Sequence, residues 1–130
     1  MGFFVHKSDT GAVVPWEYLI AAEGDYVPGQ LLTVADGELT ALAAASTATP
    51  PYVCMAEKTI VEGDAILPVT RIRKDVIYET ALSAAAAAAA VGGKLQVAAG
   101  GKMAASGAGT FEIVSLEGKA AGDTVRGRFA

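Results

Sequence analysis

Two β-prone runs joined by a dipeptide turn, met twice along the chain, constrain this sequence more than any other feature. Leu31-Leu32-Thr33-Val34 and Glu38-Leu39-Thr40 flank Asp36-Gly37. Asp-Gly accepts the pair of positive φ angles that a tight type I′ turn requires, so Val27–Leu42 is expected to form a β-hairpin. Val91–Ser106 returns the pattern. Gly93 answers Gly29, Leu95 answers Leu31, Gly100-Gly101 answers Asp36-Gly37, and Met103 answers Leu39. The segment after each hairpin also repeats. Tyr52-Val53-Cys54-Met55 leads to Gly63-Asp64, and Phe111-Glu112-Ile113-Val114 leads to Gly122-Asp123 at the same spacing. Ahead of the hairpins, Tyr18-Leu19-Ile20-Ala21 answers Tyr78-Glu79-Thr80-Ala81. The expected organisation is an N-terminal arm, 1–11, and one β-rich domain, 12–130, whose halves 13–72 and 76–130 repeat each other.

A chain of 130 residues can bury a core without disulfides or metal. Its apolar fraction is inflated by alanine, which buries little area, so extra burial against a partner is in character. A net charge of −4 argues against a nucleic-acid binder, which would carry a basic face. Arg71, Arg73 and Lys74 form a short cluster without interleaved aromatics, which reads as a solvated strand end. The single cysteine, Cys54, sits between Val53 and Met55 and reads as a buried, inert thiol. No targeting segment is expected in Met1-Gly2-Phe3-Phe4-Val5, and the alanine run is too short to span a bilayer.

Along the chain, Phe3-Phe4-Val5 stands on the arm and has two readings: a docking segment that orders on binding, or a cap on the domain's own core. From Val14 to Ile20 the even positions are apolar or aromatic, a strand pattern that Pro15 confines to an edge or to a strand start. Trp16, the one tryptophan, is either a core anchor or an interface residue. Pro28-Gly29 signals a type II turn. Further strands are expected at Tyr52–Ala56, Asp64–Arg73, Val76–Thr80, Thr110–Leu116 and Asp123–Phe129. Ala84–Ala90 is expected to be a short helix capped by Ser83 and ended by Gly92, with an extended small-residue loop as the other reading. Such a helix is marginal alone and would have to pack on the sheet or on a neighbouring subunit. Trp16, Ala86 and Ala90 are therefore the candidate subunit-interface residues.

The sequence offers little catalytic chemistry. One histidine, His6, and one cysteine make a zinc site or a Ser-His-Asp triad a poor expectation. The carboxylates Asp25, Asp36, Glu38, Glu57, Glu62 and Asp64 fall mostly at turns, where backbone reasons account for them. No catalytic residue, cofactor or metal site is expected. Gly100-Gly101-Lys102-Met103 resembles the hairpin tip of biotinyl and lipoyl carrier domains, which present a modified lysine. Here methionine flanks Lys102 on one side only, and Lys102 answers the ordinary hairpin residue Glu38.

A wider resemblance covers Tyr26 to Leu82. It lies in Pro28-Gly29-Gln30-Leu31-Leu32, Asp36-Gly37-Glu38-Leu39-Thr40, a small-residue loop, Tyr52-Val53-Cys54-Met55-Ala56-Glu57, Gly63-Asp64 and Arg73-Lys74-Asp75-Val76-Ile77-Tyr78. This block resembles the head decoration proteins of tailed bacteriophages. The resemblance implies a non-enzymatic virion protein, made in the host bacterial cytoplasm, that binds the outer capsid surface and stabilises it against internal DNA pressure. It implies the phage major capsid protein as partner, a homo-oligomer with a trimer favoured, and neither nucleic acid nor membrane. Phe3, Phe4 and Val5 are the expected capsid contacts, through strand addition to a capsid edge. Another β-rich tail or fibre module shares these features. The expected fold class is mainly β: a small β-barrel or β-sandwich, β-tulip-like, built from two related hairpin-containing halves with one short Ala-rich helix.

Overall fold

The computed structural model describes residues 2–11, 13–62 and 65–130, and among these the regular structure is all β. The strands are β1 (Phe4–Ser8), β2 (Trp16–Ala21), β3 (Gly24–Tyr26), β4 (Leu31–Ala35), β5 (Glu38–Ala41), β6 (Tyr52–Cys54), β7 (Lys58–Ile60), β8 (Ala65–Arg71), β9 (Val76–Ala81), β10 (Lys94–Val97), β11 (Ala104–Ala105), β12 (Phe111–Leu116) and β13 (Thr124–Phe129). Both expected residue pairs have positive φ, but only the first forms a two-residue turn. Ala35 pairs Glu38 directly, whereas six residues lie between Val97 and Ala104, where Gly101 N donates to the Ala98 carbonyl. Asp36 and Gly37 sit at φ 52° and 80°, Gly100 and Gly101 at 84° and 71°.

Strands β2-β5-β4-β6-β8 close into a small barrel, and β1-β9-β13-β12-β10-β11 form a six-stranded sheet. The two share an order. Around the barrel β2 pairs β8, β8 pairs β6, β6 pairs β4 and β4 pairs β5. In the sheet β9 pairs β13, β13 pairs β12, β12 pairs β10 and β10 pairs β11. Even the closing contact has a counterpart: Ala21 meets Leu39 in parallel, and Leu82 meets Ala104 in parallel. Tyr18 and Tyr78 occupy matching places. Ala21 faces Ala65 with Tyr18 against Pro68, while Ala81 faces Thr124 with Tyr78 against Gly127.

One expected equivalence shifts by a residue. Gly29 N donates to the Cys54 carbonyl, and its counterpart is Gly92 N donating to Ile113, so Gly92 rather than Gly93 answers Gly29. Both glycines have φ near 85°, a left-handed conformation that disfavours a side chain. Gly63-Asp64, expected as a turn, lies outside the described residues.

Period-two alternation lets β4 and β6 serve two cores at once. Leu32 and Cys54 point into the barrel with Ala21, Tyr26, Leu39, Ile60, Leu67 and Val69. Their neighbours Leu31 and Val53 point out of it, into a larger core with Tyr78, Leu95, Phe111, Ile113 and Phe129. This is why these strands read as unbroken apolar runs. The sheet packs on the barrel wall, and the second hairpin tip seals the join: Leu31 N donates to the Gly101 carbonyl at 2.7 Å.

One expectation is corrected. No helix forms over Ala84–Ala90. Seven alanines have the propensity but cannot offset helix nucleation alone, and tertiary partners take the backbone instead. Ser83, Ala86 and Gly92 donate to the carbonyls of Ala104, Lys119 and Ile113, leaving short turns such as Ala89 N to Ala86. The segment stands where β3 and β7 pair in the first half, and Ala86 and Ala89 are buried in the larger core. The arm, read as a docking segment or a core cap, is paired in place. β1 runs antiparallel along β9, with a bulge between Val5 and Lys7. Phe3 is 1% exposed, edge-on to Phe111 with ring centroids 5.5 Å apart and 5.9 Å from Phe129.

Candidate interaction surface

The largest feature not explained by the cores lies on β2. In the sequence the even positions of this strand are apolar or aromatic, and Trp16 reads as either a core anchor or an interface residue. The structure turns this side to solvent. Trp16, Tyr18 and Ile20 are 49%, 63% and 45% exposed, while Leu19 is half-buried and Ala21 fully buried against the barrel core. This direction is a consequence of barrel size. The interior of five short strands is filled by Tyr26, Leu32, Leu39, Cys54, Ile60, Leu67 and Val69 together with small Ala21, so the aromatics of β2 take the outer side.

Ile66, directly opposite Ile20 on β8, and Val34 on β4 are also about half exposed. Between β2 and the β4–β5 hairpin lies a groove of about 550 Å³, lined chiefly by Tyr18, Ile20, Val34, Glu38, Tyr52 and Ile66. Among the described residues of its lining, Glu38 carries the charge. The wider charge distribution is lopsided: residues 13–72 carry eight carboxylates and two cations, residues 73–130 five carboxylates and seven cations. The groove therefore opens from the acidic half of the molecule.

Arg71 borders this region and is already paired. It grips Glu17 through two hydrogen bonds of 3.0 and 3.1 Å and lies over the Tyr52 ring at 5.3 Å. The hydrogen bond from Arg71 holds the Glu17 carboxyl below its ordinary range. Arg73 pairs in the same way with Asp75. Both arginines of the basic cluster are thus taken up in local ion pairs.

The expected contact residues fall in three places. Phe4 and Val5 stand about half exposed on β1, but Phe3 is in the core and offers no surface. Trp16 is exposed on β2. Ala86 is buried inside the subunit, and Ala90 is exposed on the loop before β10. Tyr18, Ile20, Val34 and Ile66 were not singled out by the sequence. Their signal was present in the alternation of β2 and β8, but not its direction.

The remaining chemistry is sparse. Burial pushes the Cys54 thiol up, and its Sγ donates to the Ala56 carbonyl at 3.0 Å, so it is held as an unreactive thiol. Among the described residues no group of three His, Cys, Asp or Glu side chains is placed to hold a metal ion. Lys102 is exposed beside the second hairpin turn, yet the tip itself is docked: Gly101 is buried against the Leu31 backbone. A second cavity of about 400 Å³ under the alanine segment is lined mostly by small side chains, with Lys94 at its edge.

Comparison with known protein families, with curated proteins and with solved structures finds no match for this chain.

Proposed function

We propose that this protein is a non-enzymatic virion structural protein that binds the outer surface of a phage capsid and stabilises the shell against internal DNA pressure. The observation that carries the reading is the exposed apolar face of Trp16, Tyr18, Ile20 and Ile66, set on a barrel that the packed six-stranded sheet braces. A contiguous face of this kind marks an interaction surface rather than a solvated strand. The sequence resemblance to head decoration proteins supplies the class of partner. In this reading Phe4 and Val5 on β1 remain capsid contacts, and Phe3 acts from the core by fixing β1.

Mechanically, two tightly joined β units suit a reinforcing role. Many copies on a symmetric shell gain avidity from repetition, so each contact can be modest in area. Trimeric assembly at three-fold positions of the shell is part of the same proposal.

The test is co-sedimentation of the purified protein with empty expanded phage heads, alongside its free solution mass by light scattering. Stoichiometric association with heads is the expected result. Association with tail complexes alone, or with neither, overturns the proposal, and extra intact mass on Lys102 would replace it with a carrier role.

A further inference from the structure

The shared strand order shows what is missing from the groove. In the six-stranded sheet, the edge of β9 that turns away from β13 is used twice. Its end meets β11 through the Leu82–Ala104 bridge, and its beginning, Val76–Glu79, is covered by β1. In the barrel, the matching edge of β2 is used once. Ala21 meets Leu39 of β5, and there the β4–β5 hairpin ends, because Glu38 is its next residue and Asp36-Gly37 its turn. Counting from the matched pairs Ala21–Ala65 and Ala81–Thr124, Val76–Glu79 corresponds to Trp16–Leu19. Among the described residues no strand pairs with Trp16–Leu19 on that side.

We infer that the open edge of β2, together with the groove beside it, is a strand-addition site for an extended segment of a partner protein in which apolar residues alternate with Lys or Arg. The fold supplies a precedent for the pairing: β1, Phe-Val-His-Lys-Ser, is an extended segment with two apolar residues and one lysine in the corresponding place on β9. An edge strand presents unpaired N–H and C=O groups at alternate residues, so the backbone of a guest supplies affinity and its side chains supply selectivity. The apolar side chains of the guest meet Tyr18, Ile20, Val34 and Ile66. Its cations meet Glu38 and the acidic field of residues 13–72, and Arg71, already held by Glu17, does not oppose them. This inference is independent of which larger assembly the protein joins.

The experiment uses the full chain and three labelled synthetic peptides read by fluorescence anisotropy: one alternating valine or phenylalanine with lysine, the same peptide with glutamate for lysine, and the lysine peptide N-methylated throughout. The lysine peptide is expected to bind, with the glutamate and N-methylated forms at least about tenfold weaker. Amide shifts in the wild-type spectrum are expected at Trp16–Ile20 and Gly37–Leu39. The substitutions Ile20→Lys and Glu38→Lys, both on accessible positions, are expected to weaken the lysine peptide by about fivefold or more. Equal binding of the two charge forms, undiminished binding of the N-methylated form, no binding at all, or shifts confined to Phe4–Ser8 would each overturn the inference.

Discussion

Strands β2 and β9 occupy the same position in two similarly ordered β structures, and they end in opposite states. Tyr78 on β9 is wholly buried, with its ring 5.7 Å from Phe129 and its hydroxyl accepting from Arg73 N at 3.2 Å. Tyr18, its counterpart on β2, is the more exposed of that strand's two aromatics. The strands differ in what lies beside them. β9 has β1 along its free edge, with Phe3 driven between Phe111 and Phe129, whereas no strand among the described residues takes that place on β2. A strand's burial is therefore decided by its neighbours as much as by its own residues.

The hairpins show the same contrast. The Asp36-Gly37 tip stands in open space. The Gly100-Gly101 tip is pressed on the barrel, where a Cβ on Gly101 would collide with the Leu31 carbonyl oxygen. In each unit pair, one copy holds the molecule together and the other is left facing solvent.

Truncating the two tyrosines is expected to give the largest difference between β9 and β2. Tyr78→Ala is expected to cost about 3–5 kcal/mol by opening a cavity in the larger core. Tyr18→Ala should stay within about 1 kcal/mol, as substitutions at open positions do. Urea unfolding of both variants checks this, and comparable losses would mean that β2 is covered in solution.

A smaller effect is expected at the hairpin tips. Gly37→Ala meets strain alone, from a left-handed backbone angle, worth about 1–2 kcal/mol. Gly101→Ala adds a collision with the Leu31 backbone to the same strain, for a total of about 2–4 kcal/mol. Thermal unfolding of the pair, measured side by side, sharpens the distinction between a free tip and a docked one.

The smallest effect concerns the ion pairs that stand on each unit. Hydrogen bonds from Arg71 and Arg73 lower the folded-state pKa values of Glu17 and Asp75 beneath their ordinary 4.5 and 3.8. A carboxylate lowered in the folded state contributes stability above its unfolded value and loses it as pH falls through the folded one. Stability should therefore decline slightly as pH drops below 4.5, and Glu17→Gln and Asp75→Asn should each flatten that decline. Both pairs are exposed, so the changes should also shrink with added salt. Melting temperatures across the acid range, at low and high salt, provide the check.

The turns were legible in the sequence because turn chemistry is local. Asp36-Gly37, Gly100-Gly101 and Gly29 adopt the positive φ angles that their residue types admit. The mainly β class was legible for the same reason, since alternation and turn spacing are properties of a few neighbouring residues. The matched tyrosines Tyr18 and Tyr78 were also visible as a repeat. Less of the interaction surface could be read. Trp16, Phe4 and Val5 were singled out and are exposed, but Phe3 was drawn into the core and Ala86 into the subunit interior.

What the sequence alone determined is thus the kind of structure: paired strands, tight turns, and two copies of a hairpin pattern. What tertiary structure decided is direction and company. Whether the odd or the even residues of β2 face inward depends on how much volume a five-stranded barrel leaves for them, which is set by strands β4, β6 and β8. Whether seven alanines form a helix depends on carbonyls at Ala104, Ile113 and Lys119 that compete for their backbone and its flanks. Local propensity is a sum over neighbours in the chain, whereas burial and hydrogen-bond partnership are settled between residues that the chain separates and the fold brings together.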